Sequence, residues 1–171
     1  IGGGYEGDSG EITITKGKVN AIGGEGGGAG IGGGQYGSGD MITINGGTVT
    51  AIGGNGDPTK KGDGGGAGIG GGRRSTGTGA SGGASGKITI TGGTVKATGG
   101  TVVLPDGTQK VAADIGRGVD ALNPTDADFI KVSDGVTVTG IDQAVHGYGP
   151  EHKQYTSIDS SQHQRLCREA G

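Results

Sequence analysis

A short glycine-rich segment recurs along this chain and constrains its fold more than any other feature. Residues 30–34 read Gly-Ile-Gly-Gly-Gly, and residues 68–72 repeat the same five. Residues 1–4 are the same segment without its leading glycine, and residues 114–118 are a diverged copy. Self-similarity of this kind predicts a repeat protein. Because the chain starts inside a repeat, we expect either a piece of a longer protein or a surface that receives another subunit.

The amino-acid composition excludes an ordinary globular core. Glycine accounts for 47 of the 171 residues, 29% of the residues are hydrophobic, and there is one Phe and no Trp. Too few large side chains are present to fill such a core, so we expect a thin one made of stacked small residues. Collagen is excluded because glycine does not fall at every third position and proline is scarce.

Charge and hydrophobicity exclude several classes of partner. The net charge of -3 provides no strongly basic face for a nucleic acid. No stretch approaches 18 consecutive apolar residues, so we expect no membrane span.

The single cysteine, Cys167, cannot form an internal disulfide, and low cysteine use does not exclude secretion. The missing initiator Met favours a processed or excised fragment.

The spacing within the repeats is fixed in one section and variable elsewhere. Each Ile-Thr-Ile triplet is followed at a constant separation of nine residues by an alanine, which pairs Ile12 with Ala21, Ile42 with Ala51 and Ile88 with Ala97. The distances between the triplets and the glycine-rich segments vary. Insertions therefore fall in two corners of each repeat, where we expect projecting loops, while the constant section stacks on its neighbours.

The constant section alternates apolar and polar residues at period two, which predicts strands with one buried face. Ile12, Ile14, Val19 and Ala21 should point inward and stack on their equivalents in later repeats. The glycines between the two strands suit a turn with positive φ. A third short strand is predicted at 29–31 and 67–69. The predicted fold class is all-β: a right-handed parallel β-helix, or β-solenoid, of about four coils with three short strands each.

The predicted coils lie near residues 1–30, 31–68, 69–114 and 115–140. In the worn fourth coil, residues 130–138 repeat the strand pattern with one residue missing, and Phe129 is the one large aromatic candidate for the core. Residues 141–171 form a C-terminal cap or tail. Within it, 160–170 fits one short helix, and the tail either covers the end, docks on a neighbour or is disordered.

The repeated run itself resembles a known class of protein. Ile-Thr-Ile-x-Gly-Gly-x-Val-x-Ala-x-Gly-Gly followed by Gly-Ala-Gly-Ile-Gly-Gly-Gly is similar to the glycine-rich β-helix repeats of large secreted or cell-wall-anchored bacterial surface proteins. The resemblance covers about residues 1–140. It implies an extracellular, non-enzymatic stalk or adhesive region, in some such proteins beside carbohydrate-binding modules.

Outward-facing threonines are the first candidate binding site. Thr13, Thr43 and Thr89 should form one column on a flat face. Such a column can order water or contact a sugar chain, although threonine is also simply a favourable residue for an exposed strand. Asn20 and Lys96 interrupt the adjacent column, which disfavours ice binding.

Two basic pairs in successive inserted loops are the second candidate site. Lys60-Lys61 and Arg73-Arg74 could form a patch for anionic cell-wall polymers or sulfated glycans, because loops on a rigid scaffold often carry function. The other interpretation is ordinary solvated loop charge.

Metal ligands are sparse. The weak calcium candidates are four aspartates in glycine-rich turns, Asp8, Asp40, Asp57 and Asp63, although a turn aspartate often bonds its own backbone. His163 and Cys167 have i, i+4 spacing, yet two further zinc ligands are lacking. We therefore expect no bound metal or cofactor, with calcium as the possible exception.

The strand faces favour a structural role over an enzymatic one. β-helices that cleave polysaccharides need clustered carboxylates, or carboxylates beside a Lys or Arg base, and the acids of this chain fall mostly in turns. The sequence therefore predicts no enzyme but a structural or adhesive extracellular surface module, either a stalk segment or a subunit of a larger or filamentous assembly with end-to-end self-association. The alternative is a carbohydrate-binding module that contacts glycans through its inserted loops or threonine face.

Overall fold

A computed structural model describes residues 1–59, 64–74, 83–121, 130–133 and 136–139 and the backbone of 158–159. Within these residues every regular element is a β-strand and there is no helix. In chain order the strands are β1 (Glu11–Ile14), β2 (Lys18–Ile22), β3 (Ile31–Gly32), β4 (Met41–Ile44), β5 (Thr48–Ile52), β6 (Ile69–Gly70), β7 (Lys87–Ile90), β8 (Thr94–Thr98), β9 (Thr101–Val103), β10 (Gln109–Val111), β11 (Ile115–Gly116), β12 (Ile130–Val132), β13 (Thr137–Thr139) and β14 (Ile158–Asp159).

Most of these strands belong to three parallel sheets, each of which takes strands from successive repeats. Sheet 1 has the order β1-β4-β7-β12, and sheet 3 has the order β3-β6-β11. Sheet 2 has the order β2-β5-β8-β13, and β14 pairs with β13 in the antiparallel direction. The register places equivalent residues beside each other, so that Ile12 lies next to Ile42, and Ile42 next to Ile88. The prediction of an all-β protein with parallel sheets is confirmed.

The core consists of columns of identical or similar aliphatic side chains. Ile42 and Ile88 are fully buried, as are Ile44 and Ile90 in the neighbouring column of sheet 1. The predicted inward residues of the first repeat are all part of this core, with Ile14 and Ala21 buried and Ile12 and Val19 partly buried against them. Sheet 3 contributes a further buried column, Ile31, Ile69 and Ile115. Within the described residues the core is thus a stack of equivalent residues, as expected, although its largest fully buried members are isoleucine and valine and not small residues.

Two local predictions for the repeat have different outcomes. The turn glycines between the first two strands have the expected positive φ, with values of 95° at Gly17, 88° at Gly47 and 91° at Gly93. The third strand begins two residues later than predicted, at Ile31 and Ile69. The N–H of Ala29 donates to the carbonyl of Gly33, at 2.9 Å, and not to the neighbouring repeat, whereas the N–H of Gly30 already donates to the carbonyl of Ala67 there.

The predicted length of the fourth repeat is wrong. Val138 pairs with Val95 and Ile130 pairs with Ile88, so the segment between them is one residue longer than in the third repeat, not one shorter. The sequence pattern favours Val136 as the partner of Val95. In the structure the N–H of Val136 instead donates to the carbonyl of Ser133, at 3.4 Å. Four residues separate β12 from β13, whereas three separate β7 from β8.

The insertion after β8 forms a hairpin instead of the expected loop. β9 and β10 pair in the antiparallel direction, with Val102 buried on one side and Val103 and Val111 exposed on the other. Lys110 Nζ donates to both carboxylate oxygens of Asp120, at 2.9 and 2.8 Å, and so ties the hairpin to the start of the next repeat. Phe129 and the predicted helix at 160–170 lie outside the described residues.

The turn of this hairpin should respond to acid. The N–H of Thr108 donates to Asp106 Oδ1 at 2.8 Å, and this bond holds the pKa of Asp106 below its ordinary value. A carboxyl whose pKa is lower in the folded state stabilises that state above its unfolded pKa, and this stabilisation is lost as the pH falls through the folded pKa. An NMR titration should therefore show a lowered pKa for Asp106 in the native protein. The variant Thr108→Pro, which lacks the N–H, should return that pKa towards its ordinary value.

Candidate functional site

The predicted threonine column exists on the outer face of sheet 1. Thr13, Thr43 and Thr89 pair in register, and Lys131 takes the same position in the fourth repeat. Thr13 is exposed, whereas Thr43 and Thr89 are half-buried. The column therefore presents three hydroxyl groups in a row that ends at a cation.

The two arginines of the predicted basic patch have different environments. Arg73 is only 4% exposed, and its Nε donates to the carbonyl oxygen of Gly26 at 2.7 Å. Its guanidinium lies 4.5 Å from the centre of the Tyr36 ring and also donates to the Tyr36 hydroxyl. Arg74 is half-buried. Arg73 is thus a buried cation between repeats and not a solvated loop charge. Lys60 and Lys61 lie outside the described residues.

Tyr36 in turn contacts Tyr5 of the first repeat. The two rings meet edge to face, with centroids 5.5 Å apart and an interplanar angle of 79°. Partial desolvation, followed by the negative charge of Glu6, raises the pKa of Tyr5 above its ordinary value. Glu6 and Tyr36 both adopt the left-handed conformation, with φ of 57° and 68°. Glycines flank this corner in both repeats, but neither left-handed position is itself a glycine or asparagine, so the sequence does not indicate the aromatic cluster.

The cluster predicts a specific loss of stability. Arg73→Lys keeps the positive charge but removes the planar group that donates to Gly26 while lying over Tyr36. We expect the free energy of unfolding to fall by about 2 kcal/mol, measured by urea denaturation. Tyr36→Phe, which keeps the ring and loses only the hydroxyl, should cost less than half as much. An Arg73→Lys variant as stable as the wild type would contradict this role.

The candidate calcium ligands are engaged with backbone groups. Asp8 Oδ1 accepts a hydrogen bond from the N–H of Ser38 at 2.7 Å, and Asp40 Oδ2 accepts one from the N–H of Gly10 at 3.0 Å. Asp57 Oδ1 accepts from the N–H of Thr59 at 2.9 Å. Asp8 and Asp40 therefore connect the first repeat to the second. Asp63 lies outside the described residues, as do His163 and Cys167. The described part of the chain contains no group of three or more His, Cys, Asp or Glu side chains that could hold a metal ion.

A groove lined by described residues lies on the side of the molecule. It has a volume of about 970 Å³ and crosses three repeats, and we call it the lateral groove. Its apolar wall includes Ile22 and Ile52, which are 75% and 39% exposed. Its polar wall includes Glu25, Asn55 and Asp57. The Asn55 side chain is tied to the third repeat, since its Oδ1 accepts from the N–H of Thr101 at 2.9 Å.

Sequence reasoning did not identify the lateral groove. Its one sequence signal was an isoleucine directly after the buried alanine, at Ile22 and again at Ile52. Period-two alternation places that position outward, where a polar residue is expected, as Thr98 is in the third repeat. The residues of the polar wall follow β2 and β5 in the connections to the next strands. The conformation of these connections depends on contacts between repeats, such as the bond between Asn55 and Thr101.

Comparisons with protein-family models, with curated proteins and with solved structures found no match for this chain. Across the residues described above, no helix is long and apolar enough to cross a membrane.

Proposed function

We propose that this chain is a length of right-handed parallel β-helix, with about four coils of three short strands, which serves as a structural module of an extracellular surface. In this proposal it is a stalk segment or a subunit of a larger assembly. The observation that carries it is the stacking of equivalent residues in register across three parallel sheets, of which Ile12, Ile42 and Ile88 are one example.

The order of the strands supports the closed coil. The second repeat contributes β3 to sheet 3, β4 to sheet 1 and β5 to sheet 2, and the third repeat contributes β6, β7 and β8 in the same order. Inward side chains of all three sheets belong to one core cluster. Connections between parallel strands of one sheet are right-handed in nearly all proteins, which supports the hand that we propose.

The surface chemistry supports a structural role. The outward strand positions carry mostly Thr, Asn and Lys, and the core is a simple stack that further repeats can extend without a change of sequence. The resemblance to repeats of secreted and cell-wall-anchored proteins supports the extracellular location.

A repeat-extension experiment tests the architecture. A variant that carries residues 31–68 four times in tandem, with the rest of the chain unchanged, should form a particle longer by roughly 15 Å, because each of the three added coils contributes about 4.8 Å. Small-angle X-ray scattering should show the increase in the maximum dimension with an unchanged cross-section. Growth in all dimensions would contradict the proposal.

The proposed location has its own test. Antibodies raised against this chain should label intact, non-permeabilised cells of the source organism. Labelling that requires permeabilisation would contradict the extracellular role and leave the architecture test unaffected.

A carbohydrate-binding module is the second candidate, favoured by the in-register column of Thr13, Thr43 and Thr89. If this column contacts a sugar chain, a glycan array should give a hit that the double variant Thr43→Val and Thr89→Val abolishes, since valine keeps the shape and removes the hydroxyl groups. Thr48→Val and Thr94→Val, at paired outward positions of sheet 2, are the matched control. An array without hits would overturn this candidate.

A further inference from the structure

The outer face of sheet 2 carries apolar residues at the C-terminal ends of two neighbouring strands, β2 and β5. Outward positions in β2, β5 and β8 form three rows that cross the repeats, and the first two rows contain only Lys, Thr and Asn. The third row contains Ile22 and Ile52, which pair in register and are 75% and 39% exposed. We call these two residues the lateral apolar pair. Exposed isoleucines in register on neighbouring strands present one joint apolar surface to water.

Opposite charges flank the lateral apolar pair. On the sheet side, the outward positions of β2, β5 and β8 include Lys18 and Lys96, and none of these described positions is acidic. On the other side, the lateral groove includes Glu25 and Asp57, and its described lining contains no Lys or Arg. The surface therefore changes from basic through apolar to acidic along the strand direction.

Among the two-fold arrangements that align the strands of both copies, such a surface is complementary to itself in one and not in the other. When two copies face each other across a two-fold axis parallel to the stacking direction, the apolar pairs meet and the basic side of each copy faces the acidic side of the other. When the axis runs along the strands, like charges meet, which disfavours association. Two-fold symmetry is the commonest arrangement of a homo-oligomer and brings the same patch of both subunits together.

We propose that two copies of this chain associate side by side through this face as a symmetric dimer. The lateral apolar pair of one copy packs against that of the other, and Lys18 of each copy reaches the lateral groove of its partner, where Glu25 lies. The groove volume of about 970 Å³ accommodates the long lysine side chain. This association is independent of the extracellular role proposed above.

The first test disrupts the apolar contact. In sedimentation equilibrium the wild-type protein should show a dimer of twice the chain mass, and Ile52→Lys should weaken dimerisation at least tenfold, because it places a charge in the centre of the contact. Met41→Lys is the matched control, since Met41 is 43% exposed on the outer face of sheet 1. A wild-type protein that stays monomeric would overturn the proposal, as would equal weakening by both variants.

The second test determines how the two copies are oriented in the dimer. Lys18→Glu and Glu25→Lys should each weaken the dimer, and the double variant should restore it to within about threefold of the wild type, because each position 18 faces position 25 of the other copy. Failure of the double variant to recover would overturn the orientation. Small-angle scattering should give a dimer as long as one chain but wider, whereas a particle of twice the length would show end-to-end association and overturn the side-by-side arrangement.

Discussion

Replacing Gly70 with alanine should lower the free energy of unfolding by about 4 kcal/mol or more. Gly70 has a φ of 133°, a region that residues with a Cβ rarely adopt, and a Cβ built on it would overlap the carbonyl oxygen of Gly116 in the next repeat. Gly32 has the same relation to Gly70. The overlap involves backbone on both sides, so a side-chain rotation cannot relieve it. Urea denaturation followed by far-UV circular dichroism measures the loss.

Gly107→Ala is the control that separates backbone strain from overlap. Gly107 also has a positive φ, of 83°, but nothing lies within 4 Å of a Cβ built on it. We expect this variant to lose about 1 kcal/mol, the cost of the unfavourable backbone conformation alone. If both variants lost the same amount, the close approach of the backbones in sheet 3 would not be what requires glycine at position 70.

The register of the sheets could be predicted wherever the alternation and spacing of nearby residues determine it. The alternation in Ile12–Ile14 and the constant step of nine residues to Ala21 specify which side chains face inward and which residues pair, and the structure has these pairs. The register of Val138 could not be predicted, because it depends on the connection between β12 and β13, which has one residue more than its equivalent in the third repeat. A pattern of apolar residues does not distinguish a longer turn from a shorter one.

The candidate sites were harder to predict because they depend on contacts between repeats. Arg73 follows the glycine segment of the third repeat in a position that suggests a solvated loop, but Gly26 and Tyr36, which lie far away in sequence, enclose its side chain. The absence of a Cβ on Gly27 leaves room for this side chain, since a Cβ there would lie 2.8 Å from Arg73 Cδ. The lateral groove likewise requires strands and corners of three repeats. The sequence carried a signal for its apolar wall, at Ile22 and Ile52, but none for its polar wall.

The second large effect concerns the isoleucine column of sheet 1. Ile88 is fully buried between Ile42 and Ile130, which pair with it on either side. Ile88→Ala should lower the free energy of unfolding by about 4 kcal/mol, through lost burial and the cavity that remains. The cavity cannot collapse along the stacking direction, because backbone hydrogen bonds hold parallel strands about 4.8 Å apart. The loss should therefore lie in the upper half of the range for such substitutions.

A graded series shows whether packing is the cause. Ile88→Val removes one methylene group and should cost about 1 kcal/mol. Met41→Ala, on the outer face of the same sheet where Met41 is 43% exposed, should change the free energy of unfolding by less than about 0.5 kcal/mol. Denaturation of the three variants should thus give losses that follow the buried volume removed from the column. A Met41→Ala loss as large as that of Ile88→Ala would mean that strand propensity, and not the stacked core, determines the stability of sheet 1.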